Sequence, residues 1–157
     1  GGIIMYVSQS RDHEVIAKLN RNVHNLHAKL YPKYFKEYNY NAMKETFKNL
    51  VENDNFVFLV LKEHEVPIGY AWIEIKNYPE SAFKNEYKSV YVHQLSIVEG
   101  QTHKGYGKKL MNEVYDIAKK NDIDLIELDY WFENMAAKEF YKKQNFKKYR
   151  EFAFRQL

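Results

Sequence analysis

A glycine-bearing turn is the part of this sequence whose residues are best suited to chemistry. It follows an alternating apolar run, in which Tyr91, His93, Leu95 and Ile97 are predicted to share one side of a strand. The turn reads Glu99-Gly100-Gln101-Thr102-His103-Lys104-Gly105-Tyr106-Gly107 and leads into a helix-like stretch. A helix start leaves several backbone N–H groups without intrahelical partners, and glycine lets an anion approach them closely. Residues 102–108 are therefore a candidate phosphate cradle.

Two well-known phosphate-binding loops do not fit this turn. The Walker loop ends in Gly-Lys-Ser/Thr, whereas Gly107 is followed by Lys108 and Lys109. The dinucleotide fingerprint needs a third glycine two residues later, and position 110 is Leu. By itself, a Gly-x-Gly pair favours a tight turn before an ordinary helix, so the cradle needs a second, independent signal.

That second signal is the segment from Asn134 to Phe146. Together with the turn, it resembles the GCN5-related N-acetyltransferase (GNAT) superfamily. Motif A of that family matches Leu95-Ser96-Ile97 and Thr102 to Gly107, and motif B matches Asn134, Ala137, Phe140-Tyr141 and Asn145-Phe146. The resemblance is specific between about residues 91 and 146, and only general before that.

The sequence departs from the family pattern at two positions. Thr102 stands where Arg or Gln is usual, which we expect to weaken cofactor binding modestly because backbone amides make most of the contacts. Asn145 replaces the usual glycine before Phe146. Asn is the non-glycine residue that best tolerates a left-handed backbone, so a helix end there survives the change.

The resemblance implies acetyl-CoA as co-substrate, bound between the motif A strand and the next strand, residues 91–98 and 124–130. Backbone groups around Leu95 and Ile97 would pair with the pantetheine arm like one more strand. The implied cofactor-binding residues are Leu95, Ser96, Ile97, Thr102, His103, Lys104, Gly105, Tyr106, Gly107, Lys108, Asn134, Ala137 and Tyr141. Outside the motif, Asn134 would fit a plain helix N-cap equally well.

Acyl transfer to an amine needs a base, an oxyanion donor and a proton for the departing thiolate. The resemblance places Tyr141 near the cofactor sulfur, and a phenol with a pKa of about 10 stays protonated at neutral pH. Tyr141 is therefore the expected proton donor, and the N–H near Ile97 the expected oxyanion donor. His93 is the candidate base and Asp129 the alternative, although a lone histidine on an apolar strand is more often structural.

Two other groups of residues leave alternatives open. His24 and His27 lie one helical turn apart, yet no third metal ligand is identifiable, and a solvated or acceptor-facing pair fits better. An aromatic group between the first two predicted helices either lines a groove for an amine or packs against the sheet. Its members are Tyr31, Tyr34, Phe35, Tyr38 and Tyr40.

Composition narrows the class of protein further. The chain has 157 residues, 24 basic and 21 acidic side chains and no cysteine. The length fits one domain, 1–157, and the scattered lysines suit a solvated surface better than a nucleic-acid partner. Without cysteine there is no disulfide framework and no thiolate nucleophile. With no long apolar run and no signal-peptide pattern, we expect a cytoplasmic protein with neither membrane nor metal as partner.

Hydrophobic spacing predicts the elements that position the motifs. Strands are predicted over Ile3–Ser8, Phe56–Leu61, Val66–Ile75, Tyr91–Val98 and Asp124–Tyr130, with closing strand material from Lys147 to Gln156. Helices are predicted over Asp12–Tyr31, Asn41–Val51, the stretch after Gly107, and Asn134–Gln144, and a long polar loop over Lys76–Lys88. This order indicates an α/β protein, and it agrees with the GNAT acyl-CoA N-acyltransferase fold that the resemblance implies, a central mixed and mostly antiparallel sheet flanked by helices.

The sequence thus favours an acetyl-CoA-dependent N-acetyltransferase. The acetyl group would pass directly to a primary amine of a small molecule or peptide. A non-catalytic acyl-CoA sensor on the same fold is one alternative, and an RNA-associated module that uses lysine and tyrosine is another. The oligomeric state, monomer or homodimer, stays open.

Overall fold

The computed structural model describes residues 4–157, which form five strands and five helices within that range. In chain order these are β1 (Met5–Gln9), α1 (His13–Leu19), α2 (Arg21–Leu30), α3 (Tyr40–Leu50), β2 (Phe56–Glu63), β3 (Val66–Tyr78), β4 (Tyr87–Ile97), α4 (Tyr106–Lys120), β5 (Ile126–Leu128) and α5 (Met135–Lys143). Ile3, the first residue of the first predicted strand, lies outside the described residues.

The strands form one mixed sheet in the order β1-β2-β3-β4-β5. Neighbours from β1 to β4 are antiparallel, and β5 joins β4 in parallel. The predicted fold class, a mostly antiparallel mixed sheet flanked by helices, is therefore confirmed. A parallel pair needs a crossover connection, and α4 supplies it between β4 and β5.

Each face of the sheet has its own core. On one face, Leu59, Ala71 and Val92 pack with Leu110 and Val114 of α4. On the other face, Phe58 and Val60 of β2 and Tyr70 of β3 pack with Ile16 of α1 and Phe47 of α3. The central residues of β2 and β3 form nearly continuous apolar runs instead of alternating with polar residues, because both faces of these strands are covered.

The first predicted helix is interrupted at Asn20. Its amide side chain is only 2% exposed and donates to the Tyr70 hydroxyl at 3.1 Å and to Gln94 Oε1 at 2.9 Å. Asn20 ends α1 and also begins α2, so the predicted helix Asp12–Tyr31 becomes two helices. Short polar side chains that bond away from the helix favour such breaks.

A bulge in β4 changes the face on which His93 lies. His93 and Gln94 together oppose the single residue Trp72 of β3, as at a β-bulge. The imidazole of His93 stacks on the Trp72 ring at a centroid distance of 4.6 Å, and Trp72 packs against the α1–α3 core. The expectation that His93 shares a face with Leu95 and Ile97 is wrong, because those two side chains pack on the α4 side.

Other differences concern the lengths of strands and loops. β3 and β4 extend to Tyr78 and Tyr87, whose rings stack at 4.2 Å, so the connection that was predicted over Lys76–Lys88 is shorter. The closing strand predicted from Lys147 to Gln156 is absent from the structure, where this segment pairs with no strand. Among residues 4–157, no helix has both the length and the apolar character that crossing a bilayer requires.

Candidate active site

The candidate site lies where β4 and β5 separate. Their pairing ends at Val92 with Leu128, while β4 continues to Ile97. Beyond Val92, the outer edge of β4 has no strand beside it. We call this gap, between residues 93–97 of β4 and the chain that follows β5, the slot.

Backbone groups of β4 face into the slot. The Val98 N–H donates to the Ile68 carbonyl oxygen of β3 at 2.9 Å. Because residues along an antiparallel pair alternate in the direction of their hydrogen bonds, the N–H and C=O groups of Leu95 and Ile97 point away from β3. The Ile97 carbonyl oxygen accepts from Asn22 Nδ2 of α2 at 2.6 Å. The other groups can form the ladder of one more strand with an amide-bearing chain.

The phosphate cradle lies at the N-terminus of α4, beyond the end of β4. Its flanking backbone hydrogen bonds run from Gln101 N to Val98 O at 3.0 Å and from Lys109 N to Gly105 O at 3.1 Å. The amides of Tyr106, Gly107 and Lys108 start the helix and so have no intrahelical acceptor. No acidic residue lies in the first turn of α4, so the helix dipole is not compensated and favours a bound anion.

The two glycines of the turn serve different purposes. Gly105 has φ of +80° and precedes α4, and a Cβ built there meets no atom within 4 Å. Gly107 instead faces the core, because its Cβ would lie 3.1 Å from two ring carbons of Phe140 and 3.7 Å from Leu95. Gly105 therefore permits the left-handed turn, and Gly107 permits close packing of α4 against α5.

Some predicted cofactor residues can contribute only their backbone. The Tyr106 side chain is 9% exposed and donates its hydroxyl to Glu63 Oε2 at 2.5 Å, on the far side of the helix start. The Ser96 hydroxyl is buried against α1 and donates to the Leu19 carbonyl oxygen at 3.0 Å. By contrast, the side chains of Thr102, His103, Lys104 and Lys108 are exposed around the cradle.

Asn134 is the N-cap of α5. Its Oδ1 accepts from the Ala137 N–H at 3.1 Å, and the residue is 7% exposed. The N-cap interpretation is thus confirmed for the carbonyl half of the side chain. The two predictions are compatible, because the amide half is a separate donor.

Tyr141 is buried behind the slot, in the core that contains Leu95 and Ile97. It is 8% exposed, and its ring stacks on Tyr130 at 6.0 Å and meets Phe146 at 5.4 Å. Within residues 4–157 no hydrogen bond to its hydroxyl is found, and burial and Tyr115 alone affect its pKa. Burial raises the pKa of Tyr141 above its ordinary value, and Tyr115 adds a smaller effect in the same direction. Burial therefore favours the neutral phenol.

His93 lies beside the point where the slot opens. Its Nε2 is 2.7 Å from Glu74 Oε1, and the two side chains are 25% and 20% exposed. Aromatic rings of Phe56 and Tyr91 flank the imidazole at 5.5 and 4.8 Å. A carboxylate on one ring nitrogen fixes the orientation of the imidazole and leaves the other nitrogen available.

The alternative base, Asp129, is engaged elsewhere. Its Oδ2 accepts from the Tyr91 hydroxyl at 2.5 Å. Burial, followed by this hydrogen bond, raises the pKa of Tyr91. Because this carboxylate oxygen already accepts a hydrogen bond from the Tyr91 hydroxyl, Asp129 is a weaker candidate for the base.

Helix α2 spans the slot. Near its start, Asn22 holds the Ile97 carbonyl of β4, and just beyond its end the Tyr31 ring lies 4.5 Å from the Trp131 ring in the β5–α5 connection. The Tyr31 hydroxyl oxygen also accepts from the Glu133 N–H at 2.9 Å. Neither Asn22 nor Trp131 was predicted from the sequence, because both act through contacts between segments far apart in the chain.

The predicted aromatic group divides in two. Tyr34 and Phe35 join Trp131, at centroid distances of 5.9 and 5.2 Å. Tyr38 instead donates to the Ala17 carbonyl oxygen at 2.5 Å, which places it against α1. The first part borders the slot, and the second part has a packing role.

The two candidate metal-pair histidines pack the segment that follows α2. His24 Nε2 lies 2.6 Å from the Lys36 carbonyl oxygen, and His27 stacks on Phe35 at 5.0 Å. Burial lowers the pKa of His27, and the charge of His24 adds to this. No group of three or more potential metal-ligating His, Cys, Asp or Glu side chains occurs in the part of the chain that the structure describes.

Comparison with solved structures shows the same fold in several proteins. A mutant of the BH1408 protein from Bacillus halodurans has a TM-score of 0.89 at 24% sequence identity, over 99% of each chain. A possible acetyltransferase from Clostridium difficile 630 has a TM-score of 0.73 at 19% identity, again over 99% of each chain. The aminoglycoside N-acetyltransferase AAC(6')-Iy in complex with CoA has a TM-score of 0.70 at 15% identity, over 100% of this chain and 97% of that chain.

Sequence comparison identifies the family. No curated protein matches the chain significantly. The family model described as Acetyltransferase (GNAT) family matches residues 20–146, which include β4, the phosphate cradle and α5. The chain therefore belongs to the GNAT acetyltransferase family.

Proposed function

We propose that this protein is an acetyl-CoA-dependent N-acetyltransferase that moves an acetyl group directly to a primary amine. One observation carries the proposal: the free edge of β4 at Leu95 and Ile97 leads to a helix start with unpartnered amides. An extended, amide-bearing arm that ends in a pyrophosphate fits both features. Complexes of a structural neighbour with CoA and with a CoA-containing bisubstrate analogue support this use of the fold.

Acetyl-CoA, once bound in the slot, would supply the acetyl group and a thiolate leaving group. The amides of residues 103–107 would hold the pyrophosphate, with Thr102 and Lys108 beside it. Several charge-assisted hydrogen bonds of roughly 1.5–3 kcal/mol each outweigh the helix dipole, which is worth about 0.3–1 kcal/mol. Leu95 and Ile97 would then align the pantetheine arm, and the Asn134 side chain would fix its position.

Three groups of this chain act on the reacting atoms. The Ile97 N–H, pointing into the slot, stabilises negative charge on the acetyl oxygen. His93, oriented by Glu74, accepts the proton of the attacking amine. Tyr141, which burial keeps protonated in the free protein, would donate its proton to the departing sulfur.

The acceptor amine would reach the slot beneath α2, beside the rings of Tyr31 and Trp131. Aromatic faces attract cationic amines within about 6 Å. Aminoglycoside acetyltransferases among the structural neighbours support an amine acceptor. The whole chain, 1–157, would act as one catalytic domain in the cytoplasm, without metal and without nucleic acid.

The test is a transfer assay with acetyl-CoA and a panel of small amines, aminoglycosides and peptides, read by free-thiol release and by product mass. Matched alcohols in place of amines control for O-acetylation. Direct N-acetyl transfer predicts thiol release that requires an amine and yields its N-acetyl product. Saturable acetyl-CoA binding with no turnover across the panel would instead favour the sensor, and thiol release through an acetylated protein would contradict direct transfer.

A further inference from the structure

The sheet face that carries His93 continues beyond the helical core as a polar, partly exposed surface. The core formed with α1 and α3 reaches Trp72 of β3. Because side chains on one face of a strand recur at every second residue, Glu74, Lys76 and Tyr78 follow Trp72 on that face, and these three lie outside the core. The face therefore extends past the candidate base towards the far ends of β3 and β4.

Lys76 places a positive charge near the candidate base. Its Nζ lies 4.6 Å from the centroid of the Tyr91 ring and 5.7 Å from the centroid of the Tyr78 ring. The Tyr91 ring also meets the His93 imidazole, at a centroid distance of 4.8 Å. One tyrosine ring thus contacts both the imidazole and the ammonium group, so a single small molecule can reach both.

The ammonium group of Lys76 has no carboxylate partner in the part of the chain that the structure describes. The ion pairs found there join Arg11 to Asp54 and His93 to Glu74. Glu74, the nearest carboxylate along the strand, is therefore engaged by His93. A lysine held by aromatic rings alone keeps its N–H donors available for an anion.

Two other carboxylates near this face are also engaged. Asp129 accepts from the Tyr91 hydroxyl at 2.5 Å, and Glu127 accepts from the Tyr149 hydroxyl. These bonds direct both carboxylates towards tyrosine hydroxyls. Lys76 is therefore the charged side chain on this face that is best placed to pair with a charge on a ligand.

An open depression of about 380 Å³ adjoins Lys76. Its lining residues are Asn55, Glu74, Ile75, Lys76, Asn77 and Tyr78. Small-molecule sites have volumes of roughly 300–1,000 Å³, and the two asparagines supply amide donors and acceptors for a hydrophilic ligand. Glu74 belongs both to this depression and to the pair with His93. The depression and the candidate base are therefore parts of one surface.

We propose that the acceptor carries a carboxylate as well as its primary amine, and that Lys76 binds the carboxylate while the amine lies at His93. One ammonium group balances one negative charge, which favours a carboxylate over a phosphate. The acceptor class is thus an amino acid whose amine and carboxylate are several bonds apart, or a short peptide. This inference rests on the proposed function, because the reacting end of the acceptor is placed at the slot.

Transfer assays with matched acceptors test the proposal. The acceptors are β-alanine, γ-aminobutyrate and ε-aminohexanoate, and each is compared with its amide, which keeps the amine and the size but removes the negative charge. At the best chain length, kcat/KM of the parent should be at least about tenfold higher for the carboxylate than for the amide, as expected for one charge-assisted hydrogen bond.

Variants of Lys76 locate the origin of this preference. Lys76→Met keeps an apolar stem on the tyrosine rings and should raise KM for the carboxylate about tenfold with little change in kcat, because it removes binding and not chemistry. Lys76→Arg keeps the charge and stacks on the rings, so it should retain the preference within about threefold. Lys88→Met is the matched control, because Lys88 lies opposite Asn77 on the other face of the sheet, and it should leave the preference unchanged.

The outcomes separate this inference from the proposed function. A parent that acetylates amines without preferring the carboxylate, or a preference that survives Lys76→Met, would overturn the inference and leave the acetyltransferase standing. If no amine is acetylated, the proposed function fails, and NMR titration of the same acids and amides into the protein with CoA decides the inference. Saturable shifts at the amides of residues 74–78 that require both the carboxylate and Lys76 would support it, and their absence would overturn it.

Discussion

Replacing Tyr141 with Phe separates a proton donor from a packing residue. The ring of Tyr141 is held by Tyr130, Phe140 and Phe146, with centroids between 5.1 and 6.0 Å away. Phe fills nearly the same volume, so these contacts survive. Only the hydroxyl is lost, and no hydrogen bond to it is found in the described structure.

The magnitudes follow from that environment. Because the ring contacts survive and the electrostatics of the phenol involve burial and Tyr115 but no hydrogen bond, Tyr141→Phe should leave the free energy of unfolding within about 1 kcal/mol of the parent. If the phenol protonates the thiolate, kcat should nevertheless fall about 10²-fold, the low end for general acid catalysis. CoA binding should stay within about threefold of the parent. Stability would be measured by urea unfolding, and kcat with a saturating amine under conditions in which chemistry is rate-limiting.

Tyr115→Phe is the matched control. The Tyr115 hydroxyl donates to Gln144 Oε1 at 2.7 Å, in the same core. Its loss should cost about 1 kcal/mol of stability and leave kcat within about threefold. The opposite pattern, with Tyr141→Phe destabilised and turnover nearly normal, would refute the role of Tyr141 and leave the thiolate to depart unassisted or through water.

Three further predictions concern the turn, the base and pH. Gly107→Ala should destabilise the protein by about 1 kcal/mol, because crowding against Phe140 outweighs the gain in helix propensity, but it should keep CoA affinity within about threefold. Gly105→Ala opposes a positive φ and should weaken CoA binding at least about tenfold. Urea unfolding measures the stability of both variants and calorimetric titration their CoA affinity, and equal affinities would count against the cradle. His93→Gln should lower kcat at least about tenfold with unchanged CoA affinity, and an unchanged kcat would exclude it as the base. Burial holds the folded pKa of His27 below its unfolded value of about 6.5. The contribution of neutral His27 to stability is therefore present above about pH 6.5 and is lost as the pH falls through the folded pKa. Between pH 7 and 5, urea unfolding should show a smaller loss of unfolding free energy for His27→Gln than for the parent, and identical losses would contradict this.

Much of the fold could be predicted from local signals. The amphipathic spacing of Leu110, Val114 and Ile117 predicted α4, and all three are buried in the structure. The N-cap role, which was kept as the alternative to cofactor binding for Asn134, is seen in the structure, and the cofactor role stays a prediction. Such features depend on periodicity and capping, which a single sequence records directly.

The features that could not be predicted depend on contacts between distant segments. Tyr91, His93, Leu95 and Ile97 alternate without interruption in the sequence, so nothing local indicates the bulge that turns His93 to the other face. The break at Asn20 likewise depends on partners in β3 and β4.

The closing strand predicted over Lys147–Gln156 is a different case. Its pattern was recognised from the sequence, but a strand forms only beside a partner. In the structure this segment pairs with no strand, so the prediction is wrong.

The central claim is that the slot and the phosphate cradle bind acetyl-CoA. Titration of CoA into isotope-labelled protein, followed by the backbone amide signals in NMR, tests it most directly. The account predicts saturable shifts with one CoA per chain, centred on the amides of Leu95 and Ile97 and of residues 103–108. No shifts at millimolar CoA, or saturable shifts confined to another part of the protein, would contradict it.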